Sequence, residues 1–140
     1  MALTGNMSQY LQNAVLNWHK GTTFSAAPAN TYVALLTTAP TDSSGAGSVE
    51  VSGGSYARVA IASSGWSTIS GSPSSPGQIS NSGTLTFATP TANWGTVLCV
   101  AMYDASTAGN LLWFATITSQ IINTGAVASF AIGSLVLTLD

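Results

Sequence analysis

Thr96-Val-Leu-Cys-Val-Ala-Met-Tyr-Asp-Ala-Ser-Thr-Ala-Gly-Asn-Leu-Leu-Trp-Phe-Ala-Thr-Ile117 reads as two apolar strands joined by a polar turn, and that reading makes the chain a β protein. Thr96–Tyr103 has the length of a strand, Asp104–Gly109 supplies turn residues, and Asn110–Ile117 returns as the antiparallel partner. Strands apolar on both faces belong at the centre of a sheet. Cys99, inside the first of them, is expected to be a buried, inert thiol. With one cysteine no intrachain disulfide can form.

Toward the C-terminus, Ser119–Gly125 holds a short extended piece and a turn at Asn123-Thr-Gly125. Val127–Ile132 and Ser134–Leu139 read as a last strand pair joined near Gly133, with Leu135, Leu137 and Leu139 on one face. Toward the N-terminus, Gly83–Ala88 alternates, Leu85 and Phe87 inward and Thr84 and Thr86 outward. The turn Thr89–Gly95 that follows carries Trp94. Ser63–Asn81, with Gly65, Gly71, Pro73, Pro76 and Gly77, reads as an irregular connection pinned by Trp66 and Ile69. Thr31–Thr38 is a second central strand, stopped by Ala39-Pro40, and Thr41–Ser48 a mobile, exposed loop. Residues 7–19 form the one helix. Tyr10, Leu11, Ala14, Val15 and Trp18 make its apolar stripe, Asn6 or Ser8 caps its start, and His19-Lys20 suits the dipole at its end. The expected fold is a single domain over residues 1–140, mainly β: a jelly-roll-like antiparallel β-sandwich with one short N-terminal amphipathic helix.

Glu50-Val-Ser-Gly-Gly-Ser-Tyr-Ala-Arg58 contains the only Glu and the only Arg. Gly53-Gly54 suits a tight connection, and Tyr56–Ile61 alternates like a strand, with Val59 and Ile61 opposite Arg58 and Ala60. A guanidinium so placed seeks a carboxylate, from Glu50 or Asp104. The expectation is a structural ion pair or loop clamp, with contact to a partner chain as the alternative.

Hydrophobic residues make up 46% of the chain and charged residues 4%, against about a quarter charged in an ordinary domain. The exterior must therefore be Ser, Thr, Asn and Gly, or be covered by other subunits. Two cations are too few for a phosphate backbone or an anionic membrane, so neither is expected as a partner. No apolar run has the length of a membrane span, and Met-Ala-Leu-Thr-Gly-Asn6 lacks the features of a signal peptide.

No set of residues is equipped to run a reaction. His19 has no acid beside it for a triad. Asp42, Glu50, Asp104 and Asp140 are not placed as a catalytic pair, no spacing suits a metal, and no Gly-rich motif precedes a helix. Neither enzyme activity nor a cofactor is expected. Trp18, Trp66 and Trp94 are the aromatics open to contact with a partner. A glycan-stacking face from Trp66, Trp94 and Trp113 is a lesser alternative, since Trp113 lies in an apolar strand.

The order Trp18-His-Lys-Gly21, Tyr32-Val-Ala-Leu35, Thr37-Thr-Ala-Pro40, Glu50-Val-Ser-Gly-Gly-Ser-Tyr-Ala-Arg58, Ala92-Asn-Trp-Gly95, Tyr103-Asp104 and Val127–Leu135 resembles a family of small virion proteins of tailed bacteriophages. Its members are described as tail-fibre-like or as capsid decoration (cement) proteins. The resemblance implies a homo-oligomer, dimer or trimer, on a major capsid protein lattice or on a tail, with no catalytic residues. The first expectation is therefore a decoration protein on the capsid exterior. The alternative is a tail or fibre component touching the host or its glycans, and a third reading is a self-assembling sheath or fibre subunit.

Overall fold

The structure, a computed structural model, describes residues 6–72 and 75–139; Pro73 and Asp140 lie outside them. The chain runs β1 (Asn6–Met7), α1 (Gln9–His19), β2 (Asn30–Thr38), β3 (Val49–Glu50), β4 (Val59–Ala62), a 3-10 turn (Ser63–Gly65), β5 (Ser70–Ser72) and β6 (Ser75–Ser80). It continues with β7 (Leu85–Thr86), β8 (Gly95–Tyr103), β9 (Leu111–Ile122), β10 (Ser129–Phe130) and β11 (Val136–Leu139). It is a mainly β fold of antiparallel sheets with one helix.

The apolar runs form the centre, because only neighbours on both sides can satisfy their backbone while both faces are buried. Six strands make the main sheet in the order β1-β9-β8-β2-β3, with β4 also on β2. Alternation then sorts the side chains. Val33, Leu35, Val100, Met102, Trp113 and Ala115 point to one face, into a core completed by Leu85, Phe87 and Leu135. Two smaller sheets, β7–β10 and β5–β6–β11, bring Phe130 and Leu137 against that core, which gives a sandwich-like arrangement of unequal layers.

Ala34, Leu36, Cys99, Ala101 and Phe114 point to the other face. The Thr41–Ser48 segment, expected to be a mobile loop, is a folded cover for this side. Thr41 N–H donates to Ala46 O, and Gln9 N–H on α1 donates to Ser43 O. Gly45 stands so close to Leu111 that a β-carbon there would come within 3.1 Å of its Cδ2. Hydrogen bonds from the Ser44 hydroxyl and amide hold the Asp42 carboxyl below the usual range.

Cys99 is a free, fully buried thiol in β8. Burial pushes its pKa from 9.0 up to about 11, and burial likewise raises that of Tyr56. Both groups fold in their neutral form. The contribution of Tyr56 falls only above 10.0. That of Cys99 is complete below its unfolded pKa, begins to be lost once the unfolded thiol ionises above 9.0, and is gone when the folded thiol ionises near 11. A shift of this size corresponds to roughly 2–3 kcal/mol. Thermal unfolding followed across this pH range should show a falling midpoint, and Cys99→Ala should flatten the fall. An equally steep fall in Cys99→Ala would assign the loss elsewhere.

Several expectations need correction. The strand expected over Tyr56–Ile61 begins only at Val59. Ser63–Asn81, read as irregular, contains β5 and β6. Ile69 does not pin it, being 82% exposed, whereas Trp66 is half-buried against the core. The two C-terminal segments do not pair with each other: β10 joins β7 and β11 joins β6. Gly133 sits at φ 74° between them, and its N–H donates to Asn81 O, so the chain is handed to another sheet instead of folding back. β9 runs on to Ile122 through a register shift opposite Leu98.

Candidate functional site

The Glu50–Arg58 segment closes on itself because its backbone is permissive where it must turn. Gly53, Gly54 and Ser55 all adopt positive φ, and a β-carbon on Gly54 would meet Ala92 O and Trp94 Nε1 at 3.0 Å. Trp94 Nε1–H and Thr91 N–H both donate to Gly54 O at 3.0 Å. That bond explains why Trp94 faces inward. Only 5% exposed, it is not a contact aromatic.

Tyr56 is fixed next. Its ring stacks on Phe87 and meets Trp94 edge-on, with centroids 6.1 and 5.2 Å away. Its hydroxyl accepts from Leu35 N–H and donates to Glu50 Oε1, each at 2.9 Å. Arg58 then reaches the same carboxylate as a fork, Nε to Oε1 at 2.9 Å and Nη2 to Oε2 at 2.7 Å. Its Nη1 donates to Ala105 O at 2.9 Å and Ala108 O at 2.8 Å. The guanidinium carbon lies 3.7 Å from the centroid of the Tyr103 ring. Burial works against the guanidinium charge, but the bonds and charge of Glu50 outweigh it, so its pKa is raised.

Asp104 takes no part in this ion pair. Its Oδ1 accepts from Asn110 N–H at 2.6 Å and its Oδ2 from Asn110 Nδ2 at 2.7 Å. The Asp104–Gly109 turn is thus tied from two directions, by Asp104 to Asn110 across its base and by Arg58 to its carbonyls. Arg58 spends its fork and Nη1 on protein acceptors, Tyr56 is held neutral, and no nucleophile lies among these groups. The arrangement fastens the β8–β9 connection to the segment between β3 and β4.

The remaining sequence candidates lie elsewhere. Trp18 is 55% exposed near the end of α1, with His19 edge-on at 5.1 Å and Phe24 at 6.3 Å. Trp66 bridges to Asn81. Asn81 itself was not singled out, although it is completely buried and joins three segments. Its Nδ2 donates to Gly83 O and Ala131 O, and its Oδ1 accepts from Leu135 N–H, all at 2.8 Å. Its neighbours Ser82-Gly83 mark a turn, but nothing local announces partners 50 and 54 residues away.

Among the described residues, one edge of the main sheet is unpaired over much of its length. β1 pairs with β9 only at Phe114 and Trp113, so beyond Phe114 the outer edge of β9 has no strand beside it among the described residues. That edge reads Ala115-Thr-Ile-Thr-Ser-Gln-Ile121, without a charge or a proline. A groove of about 570 Å3 runs between it and Ala126–Ala131, lined in part by Ile117, Ile121, Val127 and Phe130.

Over residues 6–138 the chain matches the family described as Podophage GP4 fiber I protein gp80. It belongs to that family. The match runs from the first residue of β1 into β11, so the clamp, the open edge and α1 all lie within it. As a member of a phage fibre family, the chain is a virion structural protein of fibre-like type. No curated protein matches it.

Proposed function

We propose that the protein is a non-enzymatic subunit of a virion fibre on the phage tail, and that it works by packing against further copies of itself along the open edge of β9. The supporting observation is that edge. Soluble proteins blunt free strands with Lys, Pro or covering elements, and Ala115–Ile121 carries neither residue. The register shift bends the strand, and no strand among the described residues covers it. Ile121, 69% exposed, and Val127 stand beside it, and an added strand would satisfy the open N–H and C=O groups while burying both. Family membership favours this fibre role over decoration of the capsid exterior, which uses the same contact chemistry.

Light scattering after gel filtration tests the assembly. The wild type should be an oligomer whose mass is unchanged by high salt, because the contact contains no ion pairs. Thr118→Pro and Ile121→Lys should each give monomers that keep the wild-type circular dichroism. A wild type that stays monomeric when concentrated overturns the reading. Cryo-electron microscopy of the particle tests the location: density on the tail supports the fibre, and density on the capsid exterior transfers the protein to decoration.

A further inference from the structure

We propose that the cleft between α1 and the Thr22–Pro28 segment binds a neutral carbohydrate. Tyr10, Asn13, Ala14 and Asn17 recur at i, i+3, i+4 and i+7 and so share one side of α1. They line that cleft opposite Thr22–Ser25. It consists of two adjoining hollows of about 400 and 250 Å3 that share Tyr10, Ala14, Phe24 and Ser25, a size that suits one or two sugar rings.

The lining has the two kinds of group a pyranose needs. Its C–H faces pack on aromatic rings, and α1 and its following loop leave Tyr10, Trp18 and Phe24 in solvent. Phe24 and Tyr10 line the cleft, and Trp18, outside the lining, packs beside Phe24 with the ring planes 36° apart. Sugar hydroxyls, which both donate and accept, pair best with carboxamides and hydroxyls. Asn13, Asn17, Thr22, Thr23 and Ser25 supply them. None of these side chains bonds to another among the described residues, so their capacity is unspent.

Charge narrows the ligand further. The only ionised side chain in the lining is Asp104, and both its carboxylate oxygens are already occupied by Asn110. A phosphate, a nucleic acid or an anionic headgroup would find no cation there. A second protein copy would bury these amides and hydroxyls at a cost unless each found a partner, whereas a polyhydroxyl ligand offers many. Of Trp66, Trp94 and Trp113, the last two are buried and Trp66 is half-buried against the core, so they form no common stacking face.

The test is an amide-resolved NMR titration of the full chain. The probes are methyl α-glucopyranoside, methyl β-galactopyranoside, methyl α-rhamnopyranoside and N-acetylglucosamine, up to high millimolar concentration. At least one should shift the amides of Asn13, Asn17 and Thr22–Ser25 saturably. Phe24→Ala and Asn17→Ala should each weaken that response roughly tenfold, about the loss of one well-made contact, without changing the unfolding temperature. Absence of a saturable shift with all four probes overturns the proposal, as does a shift indifferent to both substitutions. Concentration-dependent shifts of the same amides without sugar would instead make the cleft a self-contact. The inference stands on the cleft alone, so its failure leaves the assembly at β9 untouched.

Discussion

Arg58→Ala should lower the stability of the fold by about 3 kcal/mol, the low end of what breaking a buried ion pair costs. The magnitude turns on burial. An exposed pair contributes about 0–1 kcal/mol, but the side chain of Arg58 is 7% exposed and that of Glu50 26%. Without the guanidinium, Glu50 retains Tyr56 as a donor and only part of its carboxylate reaches water. Ala105 O and Ala108 O also lose their shared donor, although the second lies where water can replace it. Chemical denaturation measures the loss directly. Arg58→Lys keeps the charge but not the fork and should fall between wild type and alanine. In a double-mutant cycle with Glu50→Gln the two substitutions should be strongly non-additive. An Arg58→Ala protein within 1 kcal/mol of wild type, about the value of an exposed pair, would falsify the view of this cluster as a clamp.

Asn81→Ala should cost about as much or more, roughly 3–5 kcal/mol, by a different route. Gly83 O and Leu135 N–H lose their partner, while Ala131 O keeps the Ser134 N–H and hydroxyl. Each stranded group costs about 1–3 kcal/mol less what local relaxation recovers. The site is fully buried, so water does not repair the loss cheaply. The damage should be local before it is global. Leu135 N–H bonds to the Asn81 side chain, and Leu135 is a core residue directly ahead of β11. Hydrogen exchange at Leu135 should therefore accelerate strongly, followed by the β11 amides facing β6. An Asn81→Ala protein with Leu135 still protected would show that packing alone holds this corner. Asn81→Asp is no rescue, because a carboxylate offers no donor to Gly83 O and Ala131 O.

These two clusters show how far the sequence could be read. β2, β8 and β9 were legible because burial on both faces demands an unbroken apolar run, and α1 because its stripe repeats at the helical period. The cap at Ser8 followed the same local logic, its Oγ accepting from Leu11 N–H. Arg58 could be narrowed to two acceptors. Choosing between them needed the turn geometry that gives Asp104 to Asn110, six residues on. β5 and β6 escaped because Ser70–Ser80 has the Gly, Pro and Ser content of a loop and because its partner β11 lies far along the chain. That partner is tied in where Leu135 N–H bonds to the buried Asn81 amide, 54 residues back. Trp94 carried no mark of its direction either, since the carbonyl that draws its indole inward belongs to Gly54, 40 residues earlier. The open cleft beside α1 was hidden for the opposite reason: a stripe of apolar positions announces burial, and α1 buries none of its residues fully.

The pairing of β1 with β9 also sets a clock for synthesis. Asn6 and Met7 leave the ribosome well before their partners, Phe114 and Trp113. β2 can pair early with β3 and β4, but its other side must wait for Cys99–Tyr103, and β6 must wait for Val136–Leu139. The centre of the main sheet cannot assemble until β8 and β9 have emerged. Folds built from such distant pairings are also intrinsically slow. A nascent chain this apolar and this poor in charge is therefore exposed to its neighbours on the polysome for most of its translation time, and its yield should depend on expression rate and temperature more than on the stability of the finished protein.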